Sequence, residues 1–164
     1  MSKITPFLWF NGEAEEAMNF YVSLFKNSKV IGISRYGEGM PFPAGTVMTA
    51  SFELDGQPVT ALNGGPEYKF TEAISFYVNC ESQQEVDDLW AKLTANGGEE
   101  GPCGWCKDRF GLSWQIVPSA LGEMMSDPNP EKARRATEAM LKMKKLDIAE
   151  LRRAYDGVTA TETA

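Results

Sequence analysis

Along the first part of the chain, the apolar positions alternate between two periods. Residues 4–10, Ile-Thr-Pro-Phe-Leu-Trp-Phe, predict a first strand, with Pro6 suited to an edge or an early position. After Asn11-Gly12 the period lengthens. Ala14, Ala17, Met18, Tyr21, Val22 and Phe25 recur at helical spacing, while Glu13, Glu15, Glu16 and Asn19 take the opposite side, so an amphipathic helix is predicted. Strand-like segments follow near 29–36, 46–54 and 57–63, the last two joined by the hairpin dipeptide Asp55-Gly56. The order reads β-α-β-β-β.

That order then restarts. Ala73 to Val78 predicts a strand, and Ser82-Gln-Gln-Glu85 is a capping box ahead of a helix striped by Val86, Leu89, Trp90 and Leu93. Shifted by 72 residues, this stripe falls on Ala14, Ala17, Met18 and Tyr21, so the chain is read as two related modules, 3–66 and 70–118. Gly97-Gly98 stops the second helix, and a strand at 111–117 ends at Pro118. Between them lies a Gly- and Cys-containing segment, so the second module shows one strand fewer than the first. Beyond Asp127-Pro-Asn-Pro130, residues 127–156 are rich in Lys, Arg, Ala, Met and Leu and read as helical, with Asp147-Ile-Ala-Glu150 placing a break near Leu146. The expectation is one α+β domain over 1–156, followed by a disordered tail at 157–164.

The composition removes most familiar chemistry. The chain contains no histidine, which excludes Ser-His-Asp and Cys-His nucleophiles, a His general base and any His-containing metal site. With 16 Lys plus Arg against 23 Asp plus Glu, the net charge of −7 repels phosphate backbones and anionic bilayers, so neither nucleic acid nor membrane is an expected partner. No stretch reaches the roughly 18 apolar residues of a membrane span. Three cysteines, Cys80, Cys103 and Cys106, are too few for a disulfide framework and point to a reducing, cytoplasmic setting. Cys103-Gly-Trp-Cys106 has dithiol-oxidoreductase spacing, but it leads into a turn before a strand and not into a helix that would stabilise a thiolate. Glu53 and Glu72 stand near strand ends as candidate general bases, provided that burial raises their pKa. Residues 37–45 read as a mobile connection able to cover a binding cleft.

Several separated motifs carry a family resemblance: Thr5-Pro-Phe-Leu-Trp-Phe-Asn-Gly with Ala14-Glu-Glu-Ala and Phe20-Tyr21, then Ala61-Leu-Asn-Gly-Gly-Pro66. Asp108-Arg-Phe-Gly-Leu-Ser-Trp-Gln-Ile-Val-Pro118 and Ala139-Met-Leu-Lys-Met143 complete the set. Over about residues 3–156 the chain resembles the PhnB-like, demethylubiquinone methyltransferase-like branch of the glyoxalase, bleomycin-resistance and extradiol-dioxygenase (vicinal oxygen chelate) superfamily. The resemblance implies paired βαβββ modules forming a curved mixed sheet around a central cleft, with C-terminal helices added. It also implies a homodimer, in which strands or modules are open to exchange between copies.

Metal-dependent members of that superfamily are implied to hold a divalent ion in the cleft. The corresponding positions here are Thr5 or Pro6, Ala61, Ala73 and Gln115, of which only Gln115 offers a plausible donor. One neutral amide cannot compete with water for such an ion, so no metal and no other cofactor is expected. Alternation along the strands sends Leu8, Phe10, Phe76, Val78, Trp114 and Ile116 to the core. It leaves Phe7, Trp9, Asn63, Ser75, Tyr77 and Gln115 as the expected ligand-binding set. The expected function is metal-free binding of a small, partly aromatic or apolar molecule, with catalysis left open. Two alternatives accompany it: a metal-dependent lyase or isomerase with non-standard ligands, and a dithiol redox protein acting through Cys103 and Cys106. Methyl transfer finds no support, because no Gly-rich strand-to-helix turn is present.

Overall fold

Both helical stripes find a sheet to cover. The computed structural model describes residues 2–158, which form two compact units divided between Phe70 and Thr71. In the first unit the order is β1 (Phe7–Phe10), α1 (Ala14–Leu24), β2 (Lys29–Arg35), β3 (Val47–Leu54) and β4 (Gln57–Asn63). The sheet order is β1-β4-β3-β2, with β1 parallel to β4 and the other pairs antiparallel. Ala14, Ala17, Met18 and Tyr21 are all buried, as are Leu8, Phe10, Ala50, Phe52, Val59 and Ala61 on the sheet face beneath α1. The β3–β4 hairpin turns at Asp55 and Gly56, both at positive φ (47° and 80°), the geometry that a two-residue turn requires.

The second unit repeats this topology. Its elements are β5 (Ser75–Cys80), α2 (Gln83–Thr94), β6 (Glu99–Glu100), β7 (Trp105–Lys107) and β8 (Ser113–Pro118), in the sheet order β5-β8-β7-β6. Ser82 Oγ accepts the Glu85 N–H at 3.2 Å, and the Glu85 carboxylate accepts the Glu81 N–H at 2.8 Å, so the box caps α2 as read. Val86, Leu89, Trp90 and Leu93 are buried. The fold is therefore α+β, built from two four-stranded mixed sheets and five helices among the described residues.

Four expectations need correction. The second module does not lack a strand: β6 is two residues long, too short to show any alternation. Strand β1 begins at Phe7 and not at Ile4, because Pro6 has no N–H to give the ladder; its carbonyl still accepts from Thr60 N–H at 3.0 Å. A short helix unforeseen in the sequence, α3 (Ser119–Met125), follows β8.

The fourth concerns the helices beyond it. Helix α4 (Pro130–Met140) stops well before Leu146, and α5 (Ile148–Asp156) follows. Leu146 is fully buried in a cluster with Val117, Leu121, Met124, Ala136 and Leu151, and residues 141–147 around it are not helical. The carbonyls freed there are used: Cys103 N–H donates to Met143 O and Gly104 N–H to Lys144 O, each at 2.8 Å. Gln83 adds a side-chain clamp, giving Nε2–H to Leu146 O and taking the Ile148 N–H. Gly157, at φ 80°, and Val158 close α5 as a left-handed cap, so the expected tail does not begin at 157; residues 159–164 lie outside the described residues. No helix among the described residues is long and apolar enough to cross a membrane.

Candidate functional site

Residues paired across a sheet share a face, so register sorts the expected ligand-binding set. In the first unit Phe7 pairs with Thr60 and Trp9 with Leu62, on the face away from α1. Phe7 is exposed, and Trp9 is held by its indole N–H on Gly65 O at 2.9 Å and by an edge contact with Tyr68. Hydroxyl pairs Ser34–Thr49 and Ser51–Thr60 extend the same face.

Asn63 does not join this face. It pairs with Phe10, so the alternation read along β4 is off by one residue, and Asn63 lies on the α1 side. Its work there is structural: Oδ1 accepts the Ala14 N–H at 2.9 Å, and Nδ2 donates to Val47 O at 3.1 Å. Because Glu13 makes no side-chain cap, Asn63 supplies the acceptor that the start of α1 needs. By the same register Ala61 lies on the buried helix side, and Thr60 and Leu62 lie on the open side.

Residues 37–45 close on Tyr36 and Thr46 by backbone hydrogen bonds, and Phe42 packs against Tyr36 and approaches Gly65. Tyr36, Phe42 and Asn63 border a cavity of about 390 Å³ within this unit.

In the second unit the face opposite α2 carries two cross-strand rows. One runs Glu99–Lys107–Ser113–Ser75 across β6, β7, β8 and β5; the next runs Trp105–Gln115–Tyr77. Ser75, Tyr77 and Gln115 are thus neighbours on one face: Gln115 Nε2–H donates to Ser75 Oγ at 2.9 Å, and Tyr77 is exposed. Beside them is a cavity of about 430 Å³, bordered by Glu72, Glu99, Glu100, Trp105, Lys107 and Ser113. Ser113 shares the parity of Gln115 along β8, so alternation puts it on this face, whereas Glu99 and Trp105 are not legible as site residues. Both sit on strands of two or three residues, too short for a period to show.

Glu72 is not the raised-pKa base envisaged. The Lys107 ammonium that it pairs with holds its carboxyl below the usual range, and the carboxylate in turn raises Lys107. Glu53 sits in a cross-strand ion pair with Lys29 at 3.6 Å.

The thiols are equally constrained. Cys106 is buried in β7, and burial, aided by the charge of Asp108, pushes its pKa up to about 12; burial and Glu85 do the same to Cys80. Neither is a ready thiolate. Only Cys103, which is partly exposed, is expected to react promptly with a thiol reagent in the folded protein at pH 8, and all three in denaturant. Rapid native-state labelling of Cys106 would contradict this. Because the folded values lie above the ordinary 9.0, the stability linked to Cys80 and Cys106 is complete below about pH 9 and lost as pH rises toward 12. A urea midpoint falling across that window checks the sign.

The superfamily's metal positions do not fit a divalent ion here. Pro6, Ala61 and Ala73 have no side-chain donor and Ala61 is buried on the helix side, which leaves only the neutral oxygens of Thr5 and Gln115, too weak a set to hold a divalent ion against water. Among the described residues, no group of three or more Cys, Asp or Glu is arranged to hold a metal ion.

None of the curated proteins matches the chain. Among solved structures it is similar to the PhnB protein from Bacillus cereus, at 41% identity and a TM-score of 0.64, covering 71% of this chain and 99% of that one. A Pseudomonas aeruginosa protein is 24% identical with a TM-score of 0.59, covering 72% and 98% of the two chains. A Staphylococcus aureus protein is 33% identical, covering 70% and 94%, with a TM-score of 0.33. The model of the 3-demethylubiquinone-9 3-methyltransferase family matches residues 2–117, which leaves α3, α4 and α5 outside the match. Matched over well more than half of its length, this chain belongs to that PhnB-like, 3-demethylubiquinone-9 3-methyltransferase family.

Proposed function

We propose that the chain binds a small, partly apolar or aromatic molecule on the helix-free face of its second sheet, without a divalent metal. The carrying observation is the juxtaposition of Ser75, Tyr77 and Gln115 with Trp105 beside the 430 Å³ cavity. An aromatic wall with a few oriented amide and hydroxyl groups is what a small-molecule site requires. The bond to Ser75 fixes the Gln115 carboxamide and leaves its carbonyl oxygen to accept from a ligand. Phe7 and Trp9 contribute to ligand binding on the open face of the first unit; Asn63 is withdrawn from the set, being occupied as a cap.

Methyl transfer is no part of this reading. The turn from β1 to α1 is Asn11-Gly12-Glu13, without the glycine-rich run that seats a nucleotide. Dithiol redox chemistry is likewise set aside, because the Cys106 thiol is held neutral. The free thiols fit a reducing cytoplasm, and a homodimer is the assembly to look for by light scattering.

A thermal-shift screen of small aromatic compounds tests the proposal. A ligand at a hundred times its Kd stabilises the fold by about 2.7 kcal/mol, and Gln115→Ala should weaken each hit about tenfold. Hits indifferent to both Gln115→Ala and Tyr77→Ala would remove the site from this face. Elemental analysis of untagged protein should find far less than one atom of Zn, Ni, Mn or Fe per chain. A stoichiometric metal would overturn the metal-free part.

A further inference from the structure

Ser113 is an anomaly. It is only 1% exposed, its hydroxyl has no hydrogen-bond partner among the described residues, and it borders the 430 Å³ cavity. A buried hydroxyl left unpaired destabilises the free protein, so its retention points to a partner that arrives.

The charges around it define that partner. Three carboxylates, Glu72, Glu99 and Glu100, border the cavity against one cation, Lys107. Lys107 is committed to Glu72, and Glu100 accepts the Trp90 indole N–H at 2.8 Å. Glu99, in the same cross-strand row as Ser113, faces Lys107 and its charge helps to raise that ammonium's pKa, but its carboxylate makes no side-chain hydrogen bond or close ion pair among the described residues. An anion entering here would meet surplus negative charge. A cation would neutralise it, and the Trp105 indole in the next row borders the same cavity, an aromatic neighbour of the kind that attracts cations.

We propose that this cavity takes a small organic cation, a protonated amine on an apolar or aromatic body, with Glu99 as counter-ion, Trp105 as wall and Ser113 Oγ as hydrogen-bond partner. This rests on the small-molecule reading above and adds the ligand class.

Three probes of similar shape test it: 2-phenylethylamine, 2-phenylethanol and 3-phenylpropionate, titrated against the full chain while its amide signals are followed by NMR. The amine should bind at least about tenfold more tightly than the alcohol, and the carboxylate more weakly than both. Glu99→Gln should bring the amine down to the affinity of the alcohol and leave the alcohol unchanged. Ser113→Ala should weaken the amine while raising Tm by roughly 2–6 °C, since it deletes an orphaned polar atom.

Equal affinity of amine and alcohol, a preference that survives Glu99→Gln, or a lower Tm in Ser113→Ala each overturns the inference. If alcohol and amine shift the Trp105, Ser113 and Gln115 amides alike, the ligand class falls and the binding face stands. Silence of all three probes at those amides removes both.

Discussion

Asp108→Ala is expected to cost about 4 kcal/mol of unfolding free energy, a large share of the roughly 5–15 kcal/mol that holds a domain together. Asp108 is 2% exposed, and three donors converge on it. Its Oδ1 accepts the Phe110 and Leu112 N–H groups at 2.9 and 3.1 Å, and its Oδ2 accepts the Trp114 indole N–H at 2.9 Å. Alanine would leave all three in surroundings where Leu112 and Trp114 are themselves buried. Each hydrogen bond to a charged group contributes about 1.5–3 kcal/mol, and the three are not additive. Asp108→Asn separates the causes. It keeps an acceptor for the two amides but turns an NH2 toward the indole N–H, so about half of the loss should remain. Denaturant midpoints followed by circular dichroism measure both. A cost below about 1 kcal/mol for the alanine variant would mean that these donors find other partners.

Gly98→Ala should be nearly as severe, for a steric reason. A Cβ at this position would lie 2.2 Å from Leu93 O, 2.8 Å from Lys107 O and 2.8 Å from Thr94 Cα, all backbone atoms. No side chain can swing aside to relieve the contact, so the end of α2 or strand β7 must move. A loss of about 3–5 kcal/mol is expected, or roughly 10 °C in Tm. The neighbouring Gly97 provides the control. It has φ 106° but meets nothing closer than 3.9 Å, so Gly97→Ala should cost only about 1–2 kcal/mol of backbone strain. Equal effects at the two positions would show that close approach is not what holds Gly98. Because Glu99 follows directly, Gly98→Ala should also weaken amine binding at the cavity.

Helices α1 and α2 were legible because each buries one face along a full three turns. Four apolar residues at i, i+3, i+4 and i+7 on α1 and four on α2 leave no second solution. Asp55-Gly56 was legible for a local reason, the shared positive φ. Strand β4 was not. Along Val59-Thr60-Ala61-Leu62 a large and a small apolar residue fall on opposite parities, and the hydrophobic pattern does not choose between them. The choice is made by α1, which covers the face that carries Ala50, Phe52, Val59 and Ala61, all buried, and sets Tyr21 against Phe52. That is tertiary information, and it decides whether Asn63 caps a helix or faces a ligand. For the same reason Ser113, Gln115 and Ser75 could be placed by alternation on long strands, whereas Glu99 and Trp105 became visible only in the folded sheet.

The segment beyond the family match also bears on when the protein becomes whole. Met143 and Lys144 offer their carbonyls to the amides of Cys103 and Gly104, and Leu146 presses against Gly104. On the ribosome the first unit has every strand of its own sheet once Asn63 has emerged, and it can close while synthesis continues. The second unit must wait. Its turn at 103–104 stays unanchored until some forty further residues have been made, so the nascent second repeat is the stretch for which a chaperone has the longest opportunity.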